Sequence, residues 1–179
     1  MKKTMMTLAA VLCCAMISTL FTACGSDEEK KPDDNTPVAC GMSYMISIGR
    51  DLFDHANFTV EYYDANGKLQ SEKMANELWE KEITTKLPGI VGVQVKMQMK
   101  DGVSTADIDL FSIDYLFRYE AYILTADGKK TTCNLNAARP AIQIKGSDVP
   151  NWVEEHSVLK AASFCYTFDA NGKYSNTGF

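Results

Sequence analysis

The stretch Val91-Gly92-Val93-Gln94-Val95-Lys96-Met97-Gln98-Met99-Lys100 decides the fold class. Apolar side chains stand at every odd position, and from Gln94 onward polar ones stand at every even position. This period of two fits a strand with one buried face and one wet face. A helix would need its apolar residues three and four apart, and here it would spread them around the whole circumference. Asp101-Gly102 ends the run.

The same alternation recurs outward from this stretch. Met42, Tyr44, Ile46 and Ile48 alternate with Ser43 and Ser47, and Phe58, Val60 and Tyr62 share one face of Asn57 to Tyr63. Lys68 to Met74 and Leu78 to Lys86 predict two more strands, the second stopped by Pro88-Gly89. From Ile113 to Thr125, Tyr115, Phe117, Tyr119, Ala121 and Ile123 lie on one side and Leu116, Tyr122 and Leu124 on the other. Apolar residues on both faces predict a central strand. Shorter strands are predicted over Lys130 to Leu135, Ala141 to Ile144 and Ala161 to Phe168. Asp-Ala-Asn-Gly-Lys at Asp64 and again at Asp169, with Asp127-Gly128 between them, supplies the positive φ that tight hairpins need. The one candidate helix is Asp148 to Leu159, with Pro150 near its start and Glu154 and Glu155 early.

These signals predict an all-β chain, an antiparallel β-sandwich of about eight or nine strands with at most one short helix. A small lipocalin-like barrel is the alternative, because a meander of hairpins also closes on itself. The segment Phe117 to Gly128 resembles the penultimate strand and turn of immunoglobulin-like and fibronectin-like bacterial modules, which implies an immunoglobulin-like sandwich.

The N-terminal end carries a different signal. Lys2 and Lys3 precede an apolar run from Leu8 to Phe21 and then small residues, the three parts of a secretory leader. Leu20-Phe21-Thr22-Ala23-Cys24 resembles the lipobox of bacterial lipoproteins, although Phe21 stands where Leu is usual. The resemblance implies lipidation of Cys24 and a membrane partner through acyl chains, whose buried CH₂ groups hold at about 0.8 kcal/mol each. The following Gly25-Ser26-Asp27-Glu28-Glu29-Lys30-Lys31 resembles the acidic export signal of surface lipoproteins in Bacteroides-type bacteria, implying anchorage in the outer membrane facing the cell exterior. Pro32 and Pro37, the carboxylates and the lack of aromatics predict a flexible tether. The expected organisation is a leader over 1–23, an acidic tether over 24–39 and a single sandwich domain over 40–179.

The chain has 18 basic and 23 acidic residues, and removing Lys2 and Lys3 leaves 16 against 23, a charge of −7. With no basic cluster to neutralise phosphates, nucleic acid is excluded as a partner. No Gly-x-Ser-x-Gly elbow, His-Glu-x-x-His helix or glycine-rich phosphate loop occurs, so no cofactor and no catalytic residue is assigned. His55 beside Asp51 and Asp54 is one ingredient of acid–base chemistry, but it reads better as a loop histidine. The repeated Asp-Ala-Asn-Gly-Lys reads as turns, because a Lys follows each Gly where a calcium loop would place another oxygen. Cys40, Cys133 and Cys165 lack zinc-ligand spacing, so no metal is expected; Cys133 and Cys165, both on predicted strands, are the candidate disulfide.

Trp79, Trp152, Tyr63 and Tyr174 are the aromatics that alternation does not force inward, which makes them a candidate ligand platform. The expected function is a surface-tethered, non-enzymatic lipoprotein that binds a protein or glycan or serves as an accessory subunit of an envelope complex. A lipocalin-like carrier of a small apolar ligand is the alternative, and a hydrolase comes third.

Overall fold

The computed structural model describes residues 33–179. The leader, Cys24 and the first part of the tether lie outside the described residues. Ten strands and two short helices follow one another: β1 (Pro37–Ile48), α1 (Arg50–His55), β2 (Ala56–Tyr63), β3 (Leu69–Lys73), β4 (Leu78–Lys86), β5 (Gly89–Met99), β6 (Phe111–Thr125), β7 (Lys130–Ala138), β8 (Ala141–Ile144), α2 (Val149–Glu155), β9 (Phe164–Phe168) and β10 (Tyr174–Asn176). Every strand pairing is antiparallel. One sheet has the order β4-β1-β6-β7, with β8 continuing along β6, and the second has the order β10-β9-β5-β2-β3.

The predicted sandwich is the observed one. The two sheets stay separate instead of closing into the alternative barrel, and side chains from both fill the space between them. β5 buries Val91, Val93, Val95 and Met97, while β6 buries Phe111, Ile113, Tyr115, Phe117, Tyr119 and Ala121. Phe164 of β9 stacks on Tyr119 of the opposite sheet with centroids 4.1 Å apart and lies 6.1 Å from the ring of Tyr44. Such pairs add about 0.5–1.5 kcal/mol to the burial of their area. Tyr44 keeps its hydroxyl in this dry interior by donating to the Ala162 carbonyl at 2.7 Å, which satisfies a group that would otherwise be costly to bury.

Several elements differ from the sequence reading: α2 ends at Glu155 and not at Leu159, and β9 begins at Phe164 because Lys160–Ala162 forms a turn of 3-10 helix. β1 begins at Pro37, so the last residues assigned to the tether belong to the sheet. Ala126 N donates to Thr36 O and Asp127 N to Asp34 O, which ties this entry segment to the β6–β7 turn. The loop around His55 is the helix α1, six residues long and too short to show helical periodicity in the sequence. The segment resembling a penultimate strand is β6, central in its sheet and followed by four more strands. It pairs with β1 on one edge and β7 on the other, and its inner face is the buried one, while Leu116 on the outer face remains 37% exposed.

Candidate functional site

The outer face of the second sheet is shaped by strand parity. Phe58, Val60 and Tyr62 point into the core, so Asn57, Thr59, Glu61 and Tyr63 point out. In β5 the same rule turns Gln94, Lys96 and Gln98 outward. Register then sets the neighbours: Thr59 lies directly opposite Lys96 on one side and Lys73 of β3 on the other. Beyond β5, where β9 has ended, Val158 bridges to Lys96. Met97 N donates to Ser157 O at 2.8 Å and Leu159 N to Val95 O at 2.9 Å, holding this segment against β5.

The result is an open trough of about 430 Å³ lined by Asn57, Thr59, Lys73, Lys96, Met97, Gln98, Ser157 and Val158. Amide, hydroxyl and ammonium groups dominate its polar lining. Lys96 is paired with Glu61 at 2.7 Å, and the Lys96 side chain is still 43% exposed. A more apolar shoulder of about 300 Å³ adjoins it, formed by Met99, Pro150, Val153 and Glu154 and sharing Met97, Gln98 and Ser157.

A second polar cluster sits on the flank of the sandwich. Trp79 and Lys81 of β4 reach across to Glu72 of β3, in the other sheet: the Trp79 indole N–H donates to Glu72 Oε2 at 3.0 Å, and Lys81 Nζ donates to Glu72 Oε1 and to the Tyr62 hydroxyl. Tyr62 in turn donates to Glu72. Lys81 Nζ also stands 4.0 Å over the Tyr62 ring. The Lys81 and Tyr62 hydrogen bonds pull the Glu72 carboxyl down to about 2, while burial pushes the Tyr62 hydroxyl up. The four side chains bond one another across the gap, so the cluster is a seam that joins the sheet edges.

The structure does not gather the expected aromatic platform. Trp79 is only 9% exposed, because β4 alternates and turns Trp79, Lys81, Ile83 and Thr85 inward. This corrects the reading of Trp79 as surface-facing; its charged neighbours Glu80 and Lys81 masked the parity. Trp152 lies on α2, stacked on His156 with centroids 4.3 Å apart. Tyr63 rests against Phe179 on the outer face of the second sheet, and Tyr174 of β10 packs edge-on to Tyr166 while its hydroxyl donates to the Cys133 carbonyl. None of the four lines the trough.

The candidate disulfide is also absent, since Cys40, Cys133 and Cys165 are free thiols. Parity again gives the reason. Phe164 and Tyr166 point into the core, so Cys165 between them faces outward, covered by Thr177, which donates to its sulfur at 3.5 Å. Cys133 packs against the core from the opposite sheet. Burial pushes all three thiols up, Cys40 to about 11.

The remaining sequence candidates are turns and caps. Asp64 Oδ1 accepts from Asn66 N and Lys68 N at 2.9 Å each, Asp169 repeats this with Asn171 and Lys173, and the hydrogen bonds hold the Asp64 carboxyl below its ordinary value. Among the described residues no group of three or more His, Cys, Asp or Glu is placed to hold a metal ion. His55 meets the Asp51 backbone carbonyl, not its carboxylate, at 2.7 Å, and His156 meets the Trp152 carbonyl at 2.9 Å.

The sequence reading assigned no site role to Asn57, Thr59, Lys73, Lys96, Gln98 or Ser157. Strand parity could have marked the residues of β2 and β5 as outward, but nothing local places β3 or the Ser157–Val158 segment beside them. No protein-family model matches the chain, and neither does any curated protein.

Proposed function

We propose that this chain is a lipid-anchored, surface-displayed, non-enzymatic protein that binds an extracellular ligand in the trough on its second sheet. The trough is the observation that carries the reading. It offers about 430 Å³ and is open enough to admit part of a long ligand. Asn57, Thr59, Lys73, Lys96 and Gln98 stand on backbones fixed by strand pairing, and Ser157 on a segment hydrogen-bonded to β5, so the backbone of the site is formed before a ligand arrives, which lowers the ordering cost of binding. The lipobox-like Leu20 to Cys24 and the acidic run after it support the anchor and the outward display.

The test uses the full-length lipoprotein from its own host. Labelling cells with an alkyne fatty acid should tag the native chain and leave Cys24→Ala untagged, and protease added to intact cells should remove the domain. A glycan and protein array probed with the detergent-solubilised protein should give hits that Thr59→Trp abolishes, because an indole would fill the floor of the trough. Hits that survive Thr59→Trp at full strength would refute the trough as the binding site.

A further inference from the structure

The two outer faces of the sandwich differ in charge. On the first sheet, the shallow hollow around Ser43 and Met45 is rimmed by Glu80 and Glu120 together with Arg118, and a neighbouring one adds Glu82 and Lys81. The trough on the second sheet is lined by two ammonium groups, Lys73 and Lys96, and by no carboxylate. Its nearest carboxylates stand just outside, Glu61 against Lys96 and Glu154 on the apolar shoulder. With Lys96 held by Glu61, the trough still has a basic lining on a chain with 23 acidic residues against 18 basic ones.

The lining also lacks any aromatic ring. A neutral sugar is commonly held by stacking its apolar face on such a ring, so this trough must draw its affinity from charge-assisted and neutral hydrogen bonds instead. Lys96, Thr59 and Lys73 form one row across three adjacent strands. Strand spacing puts the two lysine backbones roughly 10 Å apart with the Thr59 hydroxyl between them. Long flexible stems then let both ammonium groups converge on one anion over that hydroxyl. Asn57 and Gln98, paired with each other, lie one step along the same face, and Ser157 lines the trough beside them, so neutral hydrogen-bonding groups adjoin the lysine row.

We propose that the trough takes an acidic polysaccharide, with a carboxylate or sulfate seated between Lys73 and Lys96 over Thr59 and with ring hydroxyls on Asn57, Gln98 and Ser157. The proposal rests on the reading of the trough as the ligand site and deepens it by naming the ligand's chemistry. It also assigns a role to Glu61: this carboxylate occupies Lys96 in the free protein and competes with the incoming anion.

The test measures binding of the detergent-solubilised full-length protein to polygalacturonate, chondroitin sulfate, neutral dextran and poly-L-glutamate at low and moderate salt. Expected is binding to the two acidic polysaccharides that weakens with salt, falls about tenfold in each of Lys73→Gln and Lys96→Gln, and strengthens in Glu61→Gln. Lys86→Gln, on the other sheet, should leave it unchanged. Thermal melts of each variant separate lost binding from lost folding. Dextran binding that is insensitive to the lysine variants but abolished by Thr59→Trp would overturn the acidic ligand while sparing the trough. Poly-L-glutamate bound as tightly as polygalacturonate would overturn the sugar. Acidic-polysaccharide binding unchanged in both lysine variants, or no binding to any probe, would overturn the acidic-polysaccharide proposal; only array hits that survive Thr59→Trp would remove the trough reading as well.

Discussion

Replacing Glu72 by Gln isolates the ion pair that fastens one sheet edge to the other. In the folded chain the Glu72 carboxyl is held at about 2, against an ordinary 4.5, by the Lys81 ammonium first and the Tyr62 hydroxyl second. That gap of about 2.5 units corresponds to about 3.4 kcal/mol at 1.36 kcal/mol per unit. Glu72 keeps 41% of its side chain in water, and solvent screening reduces the net contribution to about 1–2 kcal/mol. The sign follows from the direction of the shift. A carboxyl with a depressed folded-state pKa stabilises fully above its unfolded value of 4.5 and loses that contribution as pH falls toward 2. Glu72→Gln should therefore cost about 1–2 kcal/mol at pH 7, and the gap to wild type should shrink to less than half by about pH 3. Urea titration followed by tryptophan fluorescence reads both numbers, with Trp79 reporting from inside the seam. A gap of the same size at both pH values, or none at neutral pH, would show that the contact holds the sheets by packing and not by charge.

Three other outcomes test the fold from different sides. Phe164→Ala removes the ring stacked between Tyr44, Tyr119 and Tyr166 and should cost about 3–5 kcal/mol in the same titration; a loss under about 1 kcal/mol would mean that the sheets meet elsewhere. Gly146→Ala should destabilise by about 2 kcal/mol or more, because its new methyl group would collide with the backbone carbonyls of Thr105 and Ile108, which side-chain rotation cannot relieve. A melting curve like that of wild type would refute this close approach. With thiols raised by burial and no disulfide, iodoacetamide at neutral pH should label Cys133 before Cys40 and Cys165, and a reductant should not alter the mass of the native chain. A Cys133–Cys165 linked peptide by mass spectrometry would contradict the arrangement of the sheets.

Much of this architecture was readable from local pattern. Val91 to Met99 alternates without a break, and Asp64 and Asp169 head turns whose carboxylates accept from the amides two and four residues later. Both are short-range effects, the first of side chains pointing to opposite faces and the second of one oxygen reaching its own loop. The long apolar run from Ile113 to Thr125 likewise marked the strand that proves central in its sheet, with a partner along each edge. α1 escaped notice because a six-residue helix makes less than two turns and shows no repeat.

The sequence by itself determined which residues alternate, where the chain reverses and that the fold is an all-β one of antiparallel strands; the two separate sheets, in place of a closed barrel, came with the tertiary structure. Only the tertiary structure decided which strands lie side by side. That choice turned Trp79 inward, kept Cys133 and Cys165 on different sides of the second sheet, and brought Lys73, Thr59, Lys96 and Val158 into one row from four separate segments. The physical reason is that periodicity assigns each side chain a face, whereas neighbours across strands are set by how two whole apolar surfaces fit together, a property that no single window of sequence contains.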